Sequence, residues 1–489
     1  MPRTERITVR PPVSHERESL GAWLAVAVGS LVLSGVLALS LLVGRLPVLA
    51  PWVPDPGFFR RCLVVHVNLS LVVWLLSFSA ALTFLVPSPR KQSAISRSGV
   101  LVSVGGALLM LLSAGATNAE PVLANYFPAV DHWLFRLGQA VFGLGVVLSL
   151  LDARLLPIER PGASSIPSAV LPGLRATGIA ILITALTFGA SWLAAPSGLE
   201  PAALYELTAW GAGHVLQLAA STAMVSVWLL LLSGVLGASP LGRNATSPLF
   251  GLLLVPWLVA PQLALAGIDR AEPRELFTTL MRFGIAPVVV VILAACLRAL
   301  FRAYRAGTLD ATSARDPRVA GFLASAFLTV QGYVLGALIR GSTTTIPAHY
   351  HAAIGGVTVA FMTVTYPLLA RLGIDVSSTP RRRRLTALQP ALFGIGQAVF
   401  ALGFAFAGLH GTGRKLYGAE GHASGPGQII GLIVMGLGGL GAVAGGLLYL
   451  GLVISAWSHP VRARALLDFH RPQPEGATWL THKNAPNIH

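Results

Sequence analysis

The sequence predicts an all-α integral membrane protein, a bundle of twelve transmembrane helices, on three observations. Of 489 residues 54% are hydrophobic and only 11% charged, with a mean hydropathy of +0.70, a composition no single soluble core accommodates. The apolar residues are gathered into runs of about 20, long enough to cross the hydrocarbon as helices that satisfy their own backbone groups. The basic residues fall between these runs on alternate sides.

The twelve runs lie at 20–44, 63–87, 98–117, 132–151, 173–195, 210–237, 247–269, 279–301, 320–341, 346–370, 387–409 and 428–455. The first is too long for a signal peptide and ends in Leu-Leu-Val-Gly-Arg without a small-residue cleavage site. Domain organisation follows: a basic tail over 1–19, one membrane domain over 20–457, and a second tail over 458–489. Basic residues concentrate in the N-terminal tail, Pro89 to Arg97, Arg302 to Arg318 and Arg381 to Arg384, while Ala116–Asp131 and Pro196–Thr208 carry none. That asymmetry places both termini in the cytoplasm and points to a bacterial inner membrane. The net charge of +16 therefore reports topology and a lipid bilayer as partner; nucleic-acid binding is not expected.

The last run's stretch Gly436-Leu-Gly-Gly-Leu-Gly-Ala-Val-Ala-Gly-Gly reads as close helix packing, where small residues let backbones approach. The two cysteines, Cys62 and Cys296, sit in different spans and frame neither a disulfide nor a zinc site. No C-x-x-C-H occurs, so any haem is held without thioether links.

The chemistry is concentrated in histidines. In Ile346 to Tyr366, His349 and His351 are two residues apart. Successive helical residues turn about 100°, so the pair faces opposite sides and cannot share one small ion. A helix of this kind can hand one neutral imidazole to each of two haems; the alternative is a polar pair facing a water-filled cavity. His66 in the second span and His214 in the sixth enter from the same side under this topology, which puts all four at one shallow depth. Buried histidines there require partners. Arg414 and Lys415 close the eleventh span with adjacent cations, suited to haem propionates just above such a layer.

These residues together resemble subunit I of the haem-copper oxidase superfamily, which includes cytochrome c oxidase subunit I and the nitric oxide reductases. The resemblance covers nearly all twelve spans. It implies that His66 and His351 ligate a six-coordinate low-spin haem, and that His349 ligates a second, high-spin haem where oxygen or nitric oxide binds. Gly411-Thr-Gly-Arg414-Lys415-Leu-Tyr417 is similar to the family's propionate-binding segment, and the second span is most similar to the reductase branch. His214 corresponds to a copper ligand.

Departures accompany the match. The family's two adjacent histidines of the seventh span fall here near Gln262 and Leu263, and one imidazole in place of three does not hold copper firmly. The oxidases' tyrosine four residues after the sixth-span histidine is Leu218. The inner halves of the spans carry no Lys, Asp or Glu for proton uptake, so pumping is not expected; Glu200, Glu206, Glu272 and Glu275 lie toward the outer face.

The expectation is therefore a membrane oxidoreductase subunit with two non-covalent haems and doubtful copper. It would pass electrons from the His66/His351 haem to the His349 haem and receive them from a cytochrome or cupredoxin-type subunit. The alternative is a copper-less di-haem electron-transfer, gas-sensing or assembly subunit without turnover. A transporter is the third reading, disfavoured by the lack of intramembrane charges and clearly broken helices.

Overall fold

The computed structural model describes residues 14–43, 55, 57–88, 90–156, 166–309, 316–414 and 425–459. Twelve helices within these segments are long and apolar enough to span a membrane. They are α1 (Ser14–Val43), α2 (Phe58–Thr83), α3 (Ala94–Ser113), α4 (Trp133–Leu150), α5 (Leu171–Leu193), α6 (Pro201–Leu236), α7 (Arg243–Leu265), α8 (Ala271–Arg305), α9 (Pro317–Ala337), α10 (Thr345–Arg371), α11 (Pro380–Leu409) and α12 (Pro426–Ser458). The chain is an all-α integral membrane protein. The only strands among the described residues form a short antiparallel hairpin, β1 (Glu120–Val122) and β2 (Ala129–Asp131), between α3 and α4.

Burial separates the helices into centre and rim. In α6, 89% of the most apolar window is buried inside the protein and in α10 78%, against 33% in α3 and 22% in α12, so α6 and α10 form the middle of the bundle. The rim is built from hairpins of small residues. A Cβ at Gly106 would stand 2.2 Å from the Phe142 nitrogen, and one at Gly438 2.1 Å from that of Phe400. The backbones of α3 and α4, and of α11 and α12, therefore touch where no larger residue fits.

Several helix ends differ from expectation. The sixth helix begins at Pro201, nine residues before the apolar run, and the eighth at Ala271. Both continue as polar helix above the apolar stretch, which hydropathy alone does not register. The Arg381–Arg384 run, expected as a loop, forms the first turn of α11, capped by the Thr379 hydroxyl at 3.2 Å from the Arg382 nitrogen.

Three spans are interrupted, which corrects the expectation of unbroken helices. A 3₁₀ segment over Val255–Val259 divides α7, where Pro256 and Pro261 remove backbone donors. Five-residue π segments lie in α2 at Leu69–Val73 and in α8 at Met281–Ile285. The α2 segment begins three residues after His66; such bulges recur at functional sites.

The N-terminal end of α2 is tied down by charge. Arg61, 1% exposed, pairs with Asp55 and donates to the carbonyls of Ala114 at 3.0 Å and Ala119 at 3.4 Å, closing the end of α3. The hydrogen bond from Arg61 holds the Asp55 carboxyl below the ordinary carboxylate range.

Candidate haem-ligand histidines

His349 and His351 leave α10 on opposite sides. The His349 Nδ1 lies 2.7 Å from the Gly332 carbonyl of α9. Its ring rests in a slot beside Gly336, where a Cβ would come within 2.8 Å of Nδ1. His351 faces α11, with Phe400 edge-on at 4.9 Å and Phe404 near parallel at 5.8 Å. Its own carbonyl accepts from Gln397 Nε2 at 2.9 Å.

His66 turns to α1: Nδ1 is 2.8 Å from the Ser34 carbonyl and 2.9 Å from the Ser34 hydroxyl. A carbonyl only accepts, so His66 and His349 are assigned Nδ1–H tautomers from these partners. Their Nε2 lone pairs are left for another acceptor of electrons, the arrangement seen when a second contact orients a metal-binding imidazole. Among the described residues no hydrogen bond engages Nε2 of either, nor either nitrogen of His351.

Depth follows from a contact lower in the bundle. Phe78 of α2 stacks on Phe361 of α10, centroids 4.4 Å apart and planes 14° from parallel. At 1.5 Å per residue, His66 and His349 each stand about 18 Å from that pair toward the N-terminal ends of their helices and His351 about 15 Å. These three share one level.

His214 lies on α6. Trp228 of α6 donates to Ser325 at 2.7 Å, and Ser325 donates to the Gly356 carbonyl of α10 at 2.7 Å. The His214 ring packs among Trp210 at 5.2 Å, Tyr126 at 4.9 Å and Phe277 at 6.1 Å. Its Nδ1 meets the Trp210 carbonyl at 2.7 Å and its Nε2 the Tyr126 hydroxyl at 3.0 Å. Tyr126 escaped the sequence reading, since it reaches His214 from a loop 88 positions away; Gly213, where a Cβ would meet the Tyr126 ring at 2.3 Å, is the local trace of that contact.

Gln262 is exposed, and with its side-chain amide in the flipped orientation Nε2 donates to the Leu258 and Val259 carbonyls at 3.1 Å; Leu263 is half-buried. The inward face of α7 is Thr246, Phe250, Leu253, Trp257, Ala260 and Ala264, with no imidazole, thiol or carboxylate among them. Among the described residues no group of three His, Cys, Asp or Glu side chains is positioned to hold a metal ion.

Arg414 sits over α10. Its backbone nitrogen donates to the Ser342 carbonyl at 3.3 Å and its Nε to the Ser342 hydroxyl at 3.1 Å, beside an isolated bridge between Thr343 and Gly413. A cation is thereby held just above the first turn of the helix that bears His349 and His351. Lys415 lies outside the described residues.

Relatives were sought among known proteins. No protein-family model matches the chain. It is 26% identical to an uncharacterised protein of Rickettsia prowazekii over 89% of this chain and 95% of that one. An uncharacterised protein of Aquifex aeolicus is 27% identical over 72% and 84%. Cytochrome c oxidase subunit 1 of Thermus thermophilus is 26% identical over 77% of this chain and 72% of that subunit. The last of these similarities suggests a relationship to the oxidase subunit.

Proposed function

We propose that this chain is the haem-bearing subunit of a membrane oxidoreductase related to cytochrome c oxidase subunit I and the nitric oxide reductases. In this reading His66 and His351 hold a six-coordinate haem and His349 a second haem. The observation that carries it is the three-histidine level: His349 and His351 diverge to opposite sides of one buried helix, and His66 stands at the same depth with Nε2 uncommitted. The donor set fits, because neutral imidazoles whose Nδ1–H is fixed by a carbonyl are oriented haem ligands. When bound, the haems supply one-electron redox chemistry and, beside His349, a position for oxygen or nitric oxide.

The chain's own residues do the positioning. The Gly332 carbonyl and the Gly336 slot fix the His349 ring, Ser34 fixes His66, and the Phe400–Phe404 wall bounds His351. Arg414, with Lys415, supplies positive charge for propionates above α10. Electrons arrive from a separate cytochrome or cupredoxin-type subunit, and the protein resides in a bacterial inner membrane with both termini cytoplasmic.

A second reading keeps the haems without gas reduction, as an electron-transfer, gas-sensing or assembly subunit. The engagement of His214 Nε2 by Tyr126 and the absence of ligands on the inward face of α7 favour it. Haem quantified per purified chain, with reduced and oxidised spectra, tests both. Two haems with gas-dependent oxidation support the first reading, two haems without turnover the second, and none overturns both.

A further inference from the structure

We infer that Tyr126 is a positioning residue that caps His214, holding its imidazole as a hydrogen-bond acceptor closed to metal ions. The geometry around His214 carries this without reference to haem. Nδ1 faces a carbonyl at 2.7 Å, which can only accept, so the ring proton resides there and the single lone pair is on Nε2. The Tyr126 hydroxyl stands 3.0 Å from Nε2 and must be its donor. An imidazole binds metal through that same lone pair, so the phenol and an ion compete for it.

The cap is built into the outer hairpin rather than resting on it by chance. Asn125, next to Tyr126, gives its backbone nitrogen to Glu206 Oε2 at 2.7 Å and its side-chain amide to the other carboxylate oxygen. Asp131 of β2 accepts from Tyr205 at 2.9 Å, and the Pro128 carbonyl accepts from Asn68 at 2.7 Å. Residues of α2 and α6 thus hold the hairpin on both flanks of Tyr126. Gly213 completes the fit: a Cβ there would lie 2.3 Å from the phenol ring, so only glycine admits Tyr126 against α6.

Acylation by diethyl pyrocarbonate, which attacks the unprotonated ring nitrogen, reads this cap directly. The detergent-solubilised protein would be labelled and adducts located by peptide mass spectrometry. Exposed His410 serves as an internal reference, since its Nδ1 faces the Phe406 carbonyl at 2.9 Å in the same tautomer. Wild type should label at His410 and stay protected at His214. Tyr126→Phe keeps the ring packing and deletes the hydroxyl; it should label at His214 about tenfold faster or more, the order expected for loss of one buried hydrogen bond. A purely structural role for the ring would leave that rate unchanged, so equal rates in wild type and Tyr126→Phe overturn the inference. If the variant is not recovered folded, wild-type labelling decides alone: His214 reacting as fast as His410 overturns it. Stoichiometric copper in wild type, lost in His214→Ala, overturns it equally. Haem measured on the same samples is independent of these outcomes.

Discussion

The α3–α4 hairpin and the histidine-bearing helices α2, α6 and α10 are equally apolar by sequence, yet they are built by opposite rules. In the hairpin everything is short. Ser96 and Ser149 exchange hydroxyl-to-carbonyl bonds at 3.0 and 3.2 Å, Ser103 reaches the Phe142 carbonyl at 3.1 Å, and glycines bring the backbones into contact. In α2 and α10 an aromatic cluster lies toward the C-terminal halves, where Trp74, Phe78, Phe361 and Tyr449 interlock. Above that cluster each helix carries imidazoles whose partners are backbone carbonyls of other helices or aromatic walls. The difference separates two uses of one composition: small-residue rims hold the bundle together, and the centre retains polar groups that cost free energy in a membrane unless they find partners.

The sharpest break of the comparison is a side chain inserted into the rim. Gly106→Leu should drive α3 from α4, because even a Cβ would lie 2.2 Å from the Phe142 nitrogen. A loss of about 3 kcal/mol or more is expected, from overpacking at a contact that cannot relax. Folded yield and thermal unfolding would register it, while spectra per folded chain should match wild type. A spectral change without destabilisation would mean the rim is not separate from the site.

In the centre the expected effect is spectral. His66→Ala or His351→Ala should abolish the sharp reduced α-band of a six-coordinate haem while the bundle still folds, since each ligand supplies one axial bond. An unchanged band in either variant refutes that ligand assignment.

How much of this was legible beforehand depends on whether the signal was local. The twelve spans follow from runs of apolar residues, and the divergence of His349 and His351 follows from their two-residue spacing. The Gly332 and Gly336 slot, the Ser34 partner of His66 and the Tyr126 cap are contacts between helices or loops distant in sequence, so no local pattern encodes them. Hydropathy also misplaced the start of α6, because Pro201 to Trp210 is helical without being uniformly apolar.

Between rim and centre, the Arg61–Asp55 pair offers a pH test. The folded Asp55 value lies below its unfolded one. Between the two values the unfolded chain therefore binds more protons, and stability rises with pH there. The contribution is complete above the ordinary carboxylate range near pH 4 and is lost as pH falls through the depressed folded value. Thermal unfolding of Asp55→Asn should be lower than wild type at neutral pH and converge with it in acid. Parallel curves at all pH values would show that the pair contributes nothing.

The smallest expected effect is also the most local to the proposed haems. Arg414 is half-exposed and held by Ser342, so its field at a propionate above α10 is screened by water. Exposed charge pairs are worth about 0.5–1 kcal/mol. With 59 mV per tenfold change for one electron, that corresponds to roughly 20–40 mV. A nearby cation disfavours the oxidised, more positive haem, so Arg414→Ala should move the midpoint of the nearer haem negative by that amount. Haem content should be retained, because both axial imidazoles remain. Redox titration of wild type and variant at matched ionic strength measures it, and raising the salt should shrink the difference as the charge is screened further. Identical midpoints at low salt would place the propionates away from Arg414, leaving its bonds to Ser342 as a tie between the α11 end and the start of α10.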